Sequence, residues 1–175
     1  MGEPKALLRW EGTTFLDSIL QSIAASGLEE PVVVLGHHRD SILAAGIGCR
    51  WVYNPDYEQG MTTSFQAGIR ALDPEMEGAM LFLVDHPGPS VATIDALADA
   101  FCPGSIVLPR IGDRRGHPVL FSREVLGEIL DLDPSLGANS VVRARAERVI
   151  EVNVGDEGVL RDIDSPDDYR KWVDK

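Results

Sequence analysis

The run Ala79-Met80-Leu81-Phe82-Leu83-Val84, closed by Asp85 and the turn His86-Pro87-Gly88-Pro89, constrains this chain more than any other feature. A strand that is apolar at every position has no face to offer to water. It belongs in a sheet covered on both sides, which is the situation of the parallel sheets of α/β proteins. The Val-rich stretch 31–36 makes the same demand. In an open α/β sheet, ligands bind beyond the carboxyl ends of the strands. Asp85 therefore either starts a turn, as Asp commonly does, or faces phosphates through a metal ion.

Between the apolar runs the spacing changes to that of helices. Phe15, Leu16, Ile19, Leu20 and Ile23 recur on one helical face, with Thr13 or Thr14 as the cap and Gly27 as the stop. The first dozen residues read as a loop. A short helix is expected at 39–45, a strand at Arg50–Tyr53, a turn-rich loop at 54–60 and a helix at about 62–72. A helix at 91–101, a strand at 106–108, an Arg- and Gly-rich loop at 110–116 and a strand at 117–121 follow. Helices at Arg123–Leu130 and 138–145, a strand at 149–154 and a helix at Pro166–Val173 complete the chain. The alternation predicts βαβ crossovers and a Rossmann-like, three-layer α/β sandwich with a mostly parallel sheet, formed as one domain over 1–175.

Sixteen Lys and Arg against 28 Asp and Glu give a formal net charge of −12. That balance argues against nucleic acid or an anionic membrane surface as a partner. An anionic substrate would need a local basic group or a divalent cation to offset the field. Cys49 and Cys102 lie far apart without CxxC spacing, and read as reduced, largely buried thiols of a cytosolic protein. No secretory leader pattern and no run of membrane-spanning length is visible, so a cytoplasmic location is expected. The adjacent pair His37-His38 reads as polar loop residues, because neighbours do not share a face and no third ligand follows at a metal-binding spacing.

Three separated segments supply the chemistry. Lys5 stands before a helix, Asp85 at a strand end, and Asp162 and Asp164 in Arg161-Asp162-Ile163-Asp164-Ser165-Pro166. Two carboxylates brought together can hold Mg²⁺, which typically uses one or two carboxylates plus substrate phosphates. A lysine offers a mobile positive charge to a phosphate. Asp162 and Asp164 can equally precede and cap the final helix, where Asp167 and Asp168 suit its dipole.

Five segments occur in the order seen in one family: Met1-Gly2-Glu3-Pro4-Lys5-Ala6-Leu7-Leu8, Gly60-Met61-Thr62-Thr63-Ser64, Val84-Asp85-His86-Pro87, Arg115-Gly116-His117-Pro118-Val119 and Asp162-Ile163-Asp164-Ser165-Pro166-Asp167-Asp168. Over essentially its whole length the chain resembles the molybdenum cofactor cytidylyltransferase branch of the nucleotidyltransferases, which have a glycosyltransferase-A-type fold. The resemblance implies transfer of a nucleoside monophosphate from an NTP, with CTP expected, to a phosphorylated acceptor such as molybdopterin, with release of pyrophosphate. It implies that Lys5 contacts the triphosphate and acts with Asp85 in catalysis. Asp85 and Asp164 would hold Mg²⁺, with Asp162 the alternative second carboxylate. Gly60 and Ser64 would line the nucleotide pocket, and Arg115, Gly116 and His117 would face the acceptor. A molybdoenzyme-maturation partner would fit the same family.

Two departures accompany the resemblance. The family pattern places a strand and a loop of the form Leu-Ala-Ala-Gly-x-Ser-x-Arg before the Met-Gly that is residues 1–2 here. The strand at 31–36 and the strand ending at Asp85 are therefore expected either to pair directly or to accept a further segment. His86 stands where the family commonly has glutamine, a change expected to alter hydrogen bonding around Asp85. A non-catalytic nucleotide- or partner-binding relative is the alternative to the enzyme.

Overall fold

The computed structural model describes residues 4–46 and 48–173; Met1, Gly2 and Glu3 of the first motif lie outside the described residues. In chain order the elements are β1 (Arg9–Trp10), β2 (Thr13–Thr14), α1 (Phe15–Ser26), β3 (Val32–Leu35), α2 (Arg39–Ala44), β4 (Arg50–Tyr53), α3 (Met61–Arg70), β5 (Gly78–Leu81) and α4 (Val91–Asp99). They continue with β6 (Ile106–Ile111), β7 (Arg114–Arg115), β8 (Val119–Ser122), α5 (Arg123–Leu130), α6 (Asn139–Ala144), β9 (Val149–Asn153) and α7 (Pro166–Val173). Caps fix the boundaries that the spacing suggested. The Thr14 hydroxyl accepts from the Asp17 N–H at 3.1 Å, and Gly27 ends α1 in the left-handed region at φ 73°. Ser90 caps α4 by accepting from the Thr93 N–H at 3.3 Å.

The central ladder runs β5-β8-β6-β9, with β7 hydrogen-bonded to the far end of β6. β6 and β9 are parallel, and β8 is antiparallel to both β5 and β6. β5, β6 and β9 thus share one direction, and β8 and the two-residue β7 oppose them, giving a mixed, mostly parallel sheet. The reason is the connection. β6 reaches β8 through residues 112–118, a span too short for the crossover helix a parallel neighbour requires.

Period-two alternation divides the side chains between two faces. Ile106, Leu108, Val119 and Phe121 turn toward Val125, Leu126 and Ile129 of α5 and Val141 and Val142 of α6, with Phe65 and Ile69 of α3 against them. Val107, Leu120, Met80, Ile150 and Val152 turn the other way, toward Leu97, Ala100 and Phe101. Burial of these residues removes apolar area worth ~25 cal/mol per Å² from water. This three-layer arrangement is what a sequence of fully apolar strands requires.

Three expectations change in the structure. The 79–84 run is ladder only to Leu81; Phe82 and Leu83 continue without strand pairing, and Asp85 sits in the turn beyond. The first dozen residues are not all loop: a 3₁₀ turn at Lys5–Leu7 precedes the β1–β2 hairpin, which places Trp10 in the core at 3% exposure. Cys102 is exposed rather than buried, because it opens the turn after α4 whose backbone is closed by Ser105; Cys49 is half-buried. β3 pairs in parallel with β4, and among the described residues no ladder joins β3 to β5, so direct pairing is the one of the arrangements expected for these strands that is not seen.

Candidate active site

The 3₁₀ turn, closed by the Leu7 N–H donating to the Pro4 carbonyl at 2.9 Å, projects Lys5 toward the carboxyl end of β5. Its Nζ lies 2.5 Å from Asp164 Oδ1 and 3.5 Å from Asp85 Oδ2, so residues 80 and 159 positions apart meet around one ammonium group. Partial burial disfavours the lysine charge, but Asp164 and then Asp85 outweigh it and hold the Lys5 pKa above its ordinary value.

The acidic segment is placed by its middle residue. Ile163 is fully buried against Trp10 and Phe15, and its N–H donates to the Asp85 carbonyl at 3.1 Å. Pinning Ile163 inward turns Asp162 and Asp164, two residues apart, to the opposite side, where both are exposed. Burial raises the Asp162 pKa, and repulsion from Asp164 adds to it. Asp85 itself is held by its turn, in which the His86 N–H donates to the Leu83 carbonyl at 3.0 Å. The following loop is tied to α1 by the Ser18 hydroxyl, which donates to the Pro87 carbonyl at 3.1 Å.

Two histidines complete this end of the sheet. The rings of His86 and His117 lie 5.0 Å apart, and the Nδ1 atom of each is buried without a hydrogen-bond partner among the described residues. Burial, with His86 as the second cause, pushes the His117 pKa down to about 4 against the pull of Asp85. His117 is therefore neutral at neutral pH. Beside them a cleft of about 410 Å³ is lined by Lys5, Gly36, His37, His38, Val84 and Asp164 among others. A second cleft, of about 430 Å³, opens among Glu29, Asp73, Glu77, Gly78 and Phe101. It holds none of the residues singled out from the sequence.

The structure thus brings together Lys5, Asp85, Asp162, Asp164, His86 and His117. Gly60 and Ser64 belong to another cluster, organised by Asn54, whose amide donates to Thr63 at 2.9 Å and to Ser64 at 3.0 Å. Gly60 enters α3 at φ 116°, a conformation that side chains rarely tolerate. Arg115 is not free: it shares Glu151 with Arg110 at 2.7 and 2.8 Å, and these guanidinium groups hold the Glu151 pKa down. Gly116 has a packing reason for being glycine, since a Cβ there would stand 2.3 Å from the Val159 carbonyl oxygen. Sequence reasoning missed Asn54, a buried polar side chain with no motif of its own. It also missed Arg161, whose guanidinium lies 4.8 Å from the Trp172 ring and 5.7 Å from that of Trp10.

A triphosphate approaching this cleft would meet a mobile ammonium beside a group of carboxylates, at the strand ends where α/β sheets bind ligands. Among the described residues, no helix is long and apolar enough to cross a membrane.

Comparison with known proteins places this geometry. The chain is 30% identical over 173 residues to nicotine blue oxidoreductase of Paenarthrobacter nicotinovorans, covering 93% of this chain and 84% of the relative. It is 26% identical over 174 residues to molybdenum cofactor cytidylyltransferase of Escherichia coli (strain K12), covering 97% and 86% of the two chains. The crystal structure of Rv0371c from Mycobacterium tuberculosis H37Rv superposes with a TM-score of 0.89 at 30% identity, covering 100% of this chain and 91% of that one. A manganese complex of Rv0371c superposes at 0.84 and 29% identity, covering 98% and 92%. The three-layer sandwich is the expected glycosyltransferase-A-type fold. With residues 1–149 matching the MobA-like NTP transferase domain, the chain belongs to that family.

Proposed function

We propose that the protein transfers a nucleoside monophosphate, with CTP as the expected donor, to a phosphorylated small molecule such as molybdopterin, with a divalent cation as cofactor. The observation that carries this reading is the convergence of Lys5 with Asp85 and the Asp162–Asp164 segment at the carboxyl end of β5. In the reaction an acceptor phosphate oxygen bonds to the α-phosphorus while the bond from that phosphorus to the bridging oxygen breaks, and pyrophosphate leaves. Asp85 and a carboxylate of the Asp162–Asp164 pair would hold Mg²⁺ or a like ion, which supplies Lewis-acid neutralisation of phosphate charge. Lys5 exchanges its Asp164 contact for the triphosphate and meets charge on the leaving oxygens. His117, neutral at neutral pH, adds no cation. Arg115, Gly116 and His117 form the proposed acceptor side, and Gly60 and Ser64 the nucleotide side. A molybdoenzyme that receives the product is the partner this reading implies.

The test is pyrophosphate release from each NTP in the presence of candidate acceptors, for the wild type and Asp85→Asn. The variant keeps size and removes the charge that attracts a cation, so turnover should fall by roughly 100-fold or more with the melting temperature unchanged. Wild-type turnover by Asp85→Asn would remove this residue from the site. The 30% identity to nicotine blue oxidoreductase favours one second reading, an oxidoreductase using the same cleft. Redox turnover without pyrophosphate release would establish it, and NTP binding with neither activity would indicate a non-catalytic relative.

A further inference from the structure

One donor atom from each of Asp85, His86 and Asp162 lies within 4.8 Å of the other two. Donors facing each other across an ion at ~2.1 Å stand about 4.2 Å apart, so small side-chain adjustments bring this trio onto one cation. One ring nitrogen of His86, Nδ1, is also buried with no hydrogen-bond partner among the described residues. A buried polar atom left in that state costs free energy that a ligand bond would recover. The charges are also unbalanced, with Asp85, Asp162 and Asp164 gathered around the single ammonium of Lys5. Lys5 engages Asp164 at 2.5 Å and Asp85 only at 3.5 Å, so its main ion pair lies outside the trio.

We infer that His86 is a nitrogen ligand beside Asp85 and Asp162, and that it makes this site select Mn²⁺ or a similar transition ion over Mg²⁺. The inference rests on the metal-dependent reading above and adds the ligand set and the ion preference. Oxygen-only sites suit Mg²⁺, whereas imidazole raises affinity for first-row transition ions. Three protein ligands also hold an ion without nucleotide, unlike a site of one or two carboxylates that borrows substrate phosphates. Asp164 then remains the partner of Lys5.

Binding of Mn²⁺ and Mg²⁺ to the nucleotide-free protein tests this, followed by the free Mn²⁺ electron paramagnetic resonance signal and by Mg²⁺ competition. The wild type should bind Mn²⁺ about tenfold or more tightly than Mg²⁺, and pulsed measurements should show ¹⁴N coupling to the bound ion. His86→Gln should abolish the coupling and shrink the preference to within about threefold, while Asp162→Asn should weaken Mn²⁺ binding about tenfold or more. Bound Mn²⁺ without ¹⁴N coupling in the wild type would overturn the assignment without any variant. Loss of binding in Asp85→Asn with none in His86→Gln would overturn it and leave the transfer reading standing. Absence of Mn²⁺ binding with or without nucleotide would overturn both.

Discussion

Alanine at Gly116 would carry a methyl carbon to 2.3 Å from the Val159 carbonyl oxygen and 2.9 Å from Val159 Cγ2, where ordinary contact begins near 3.4 Å. Val159 is fully buried, so the two segments must separate by about 1 Å rather than let a side chain swing away. That separation stretches the hydrogen bond from the His117 N–H to the Val159 carbonyl, now 2.9 Å, past useful length. Losing such a bond costs ~0.5–1.5 kcal/mol and overpacking ~1–3 kcal/mol, so Gly116→Ala should lose roughly 2–4 kcal/mol. For a chain of this size that is a fall of roughly 4–16 °C in Tm. Urea denaturation with paired thermal melts measures it. A variant melting within a degree of the wild type while binding acceptor more weakly would refute the packing argument, and would leave Gly116 with a ligand-facing role alone.

Arg115→Ala should lower kcat/KM for the acceptor about ten- to a hundredfold with NTP affinity little changed, and should barely alter Tm, because Arg115 is exposed and Glu151 keeps its Arg110 partner; steady-state kinetics with each substrate varied, beside a thermal melt, checks both. His117 has a folded pKa of about 4, below its ordinary 6.5, so the unfolded chain takes up its proton first on acidification. Its contribution is complete above pH 6.5 and is lost as pH falls through 4, about 3 kcal/mol in all. A His117→Phe variant should flatten the urea stability profile across that window. Lys5→Gln should slow pyrophosphate release about a hundredfold or more and leave Tm within a few degrees, since the Asp164 side chain it engages is 67% exposed. A stopped assay on matched protein stocks decides it.

The residues that meet at the strand ends were legible because their chemistry is local. Asp85 closes an apolar run, and Asp162 and Asp164 flank the apolar Ile163 that turns them to one side. The fully apolar strands likewise dictate a two-sided covering, which the structure supplies. Other facts depend on partners distant in sequence. Nothing near Arg115 announces Glu151, so the guanidinium looks free until β9 is laid beside β6. Gly116 looks like a ligand-approach glycine until Val159 is packed on it. The reversed direction of β8 was implicit in the short span before it, yet apolar pattern carries no arrow. Trp10 and its hairpin were hidden by brevity, since two-residue strands leave no period to read.

The packing of β3 against the segment that carries Asp85 bears on how an occupied cleft would be felt inside the molecule. Val33 and Leu35 of β3 pack with Val84, the residue before Asp85. Gly36, His37 and His38 just beyond β3 line the cleft that also holds Lys5 and Val84. A nucleotide bound there would stabilise the folded form by mass action and slow hydrogen exchange of the amides at the end of β3.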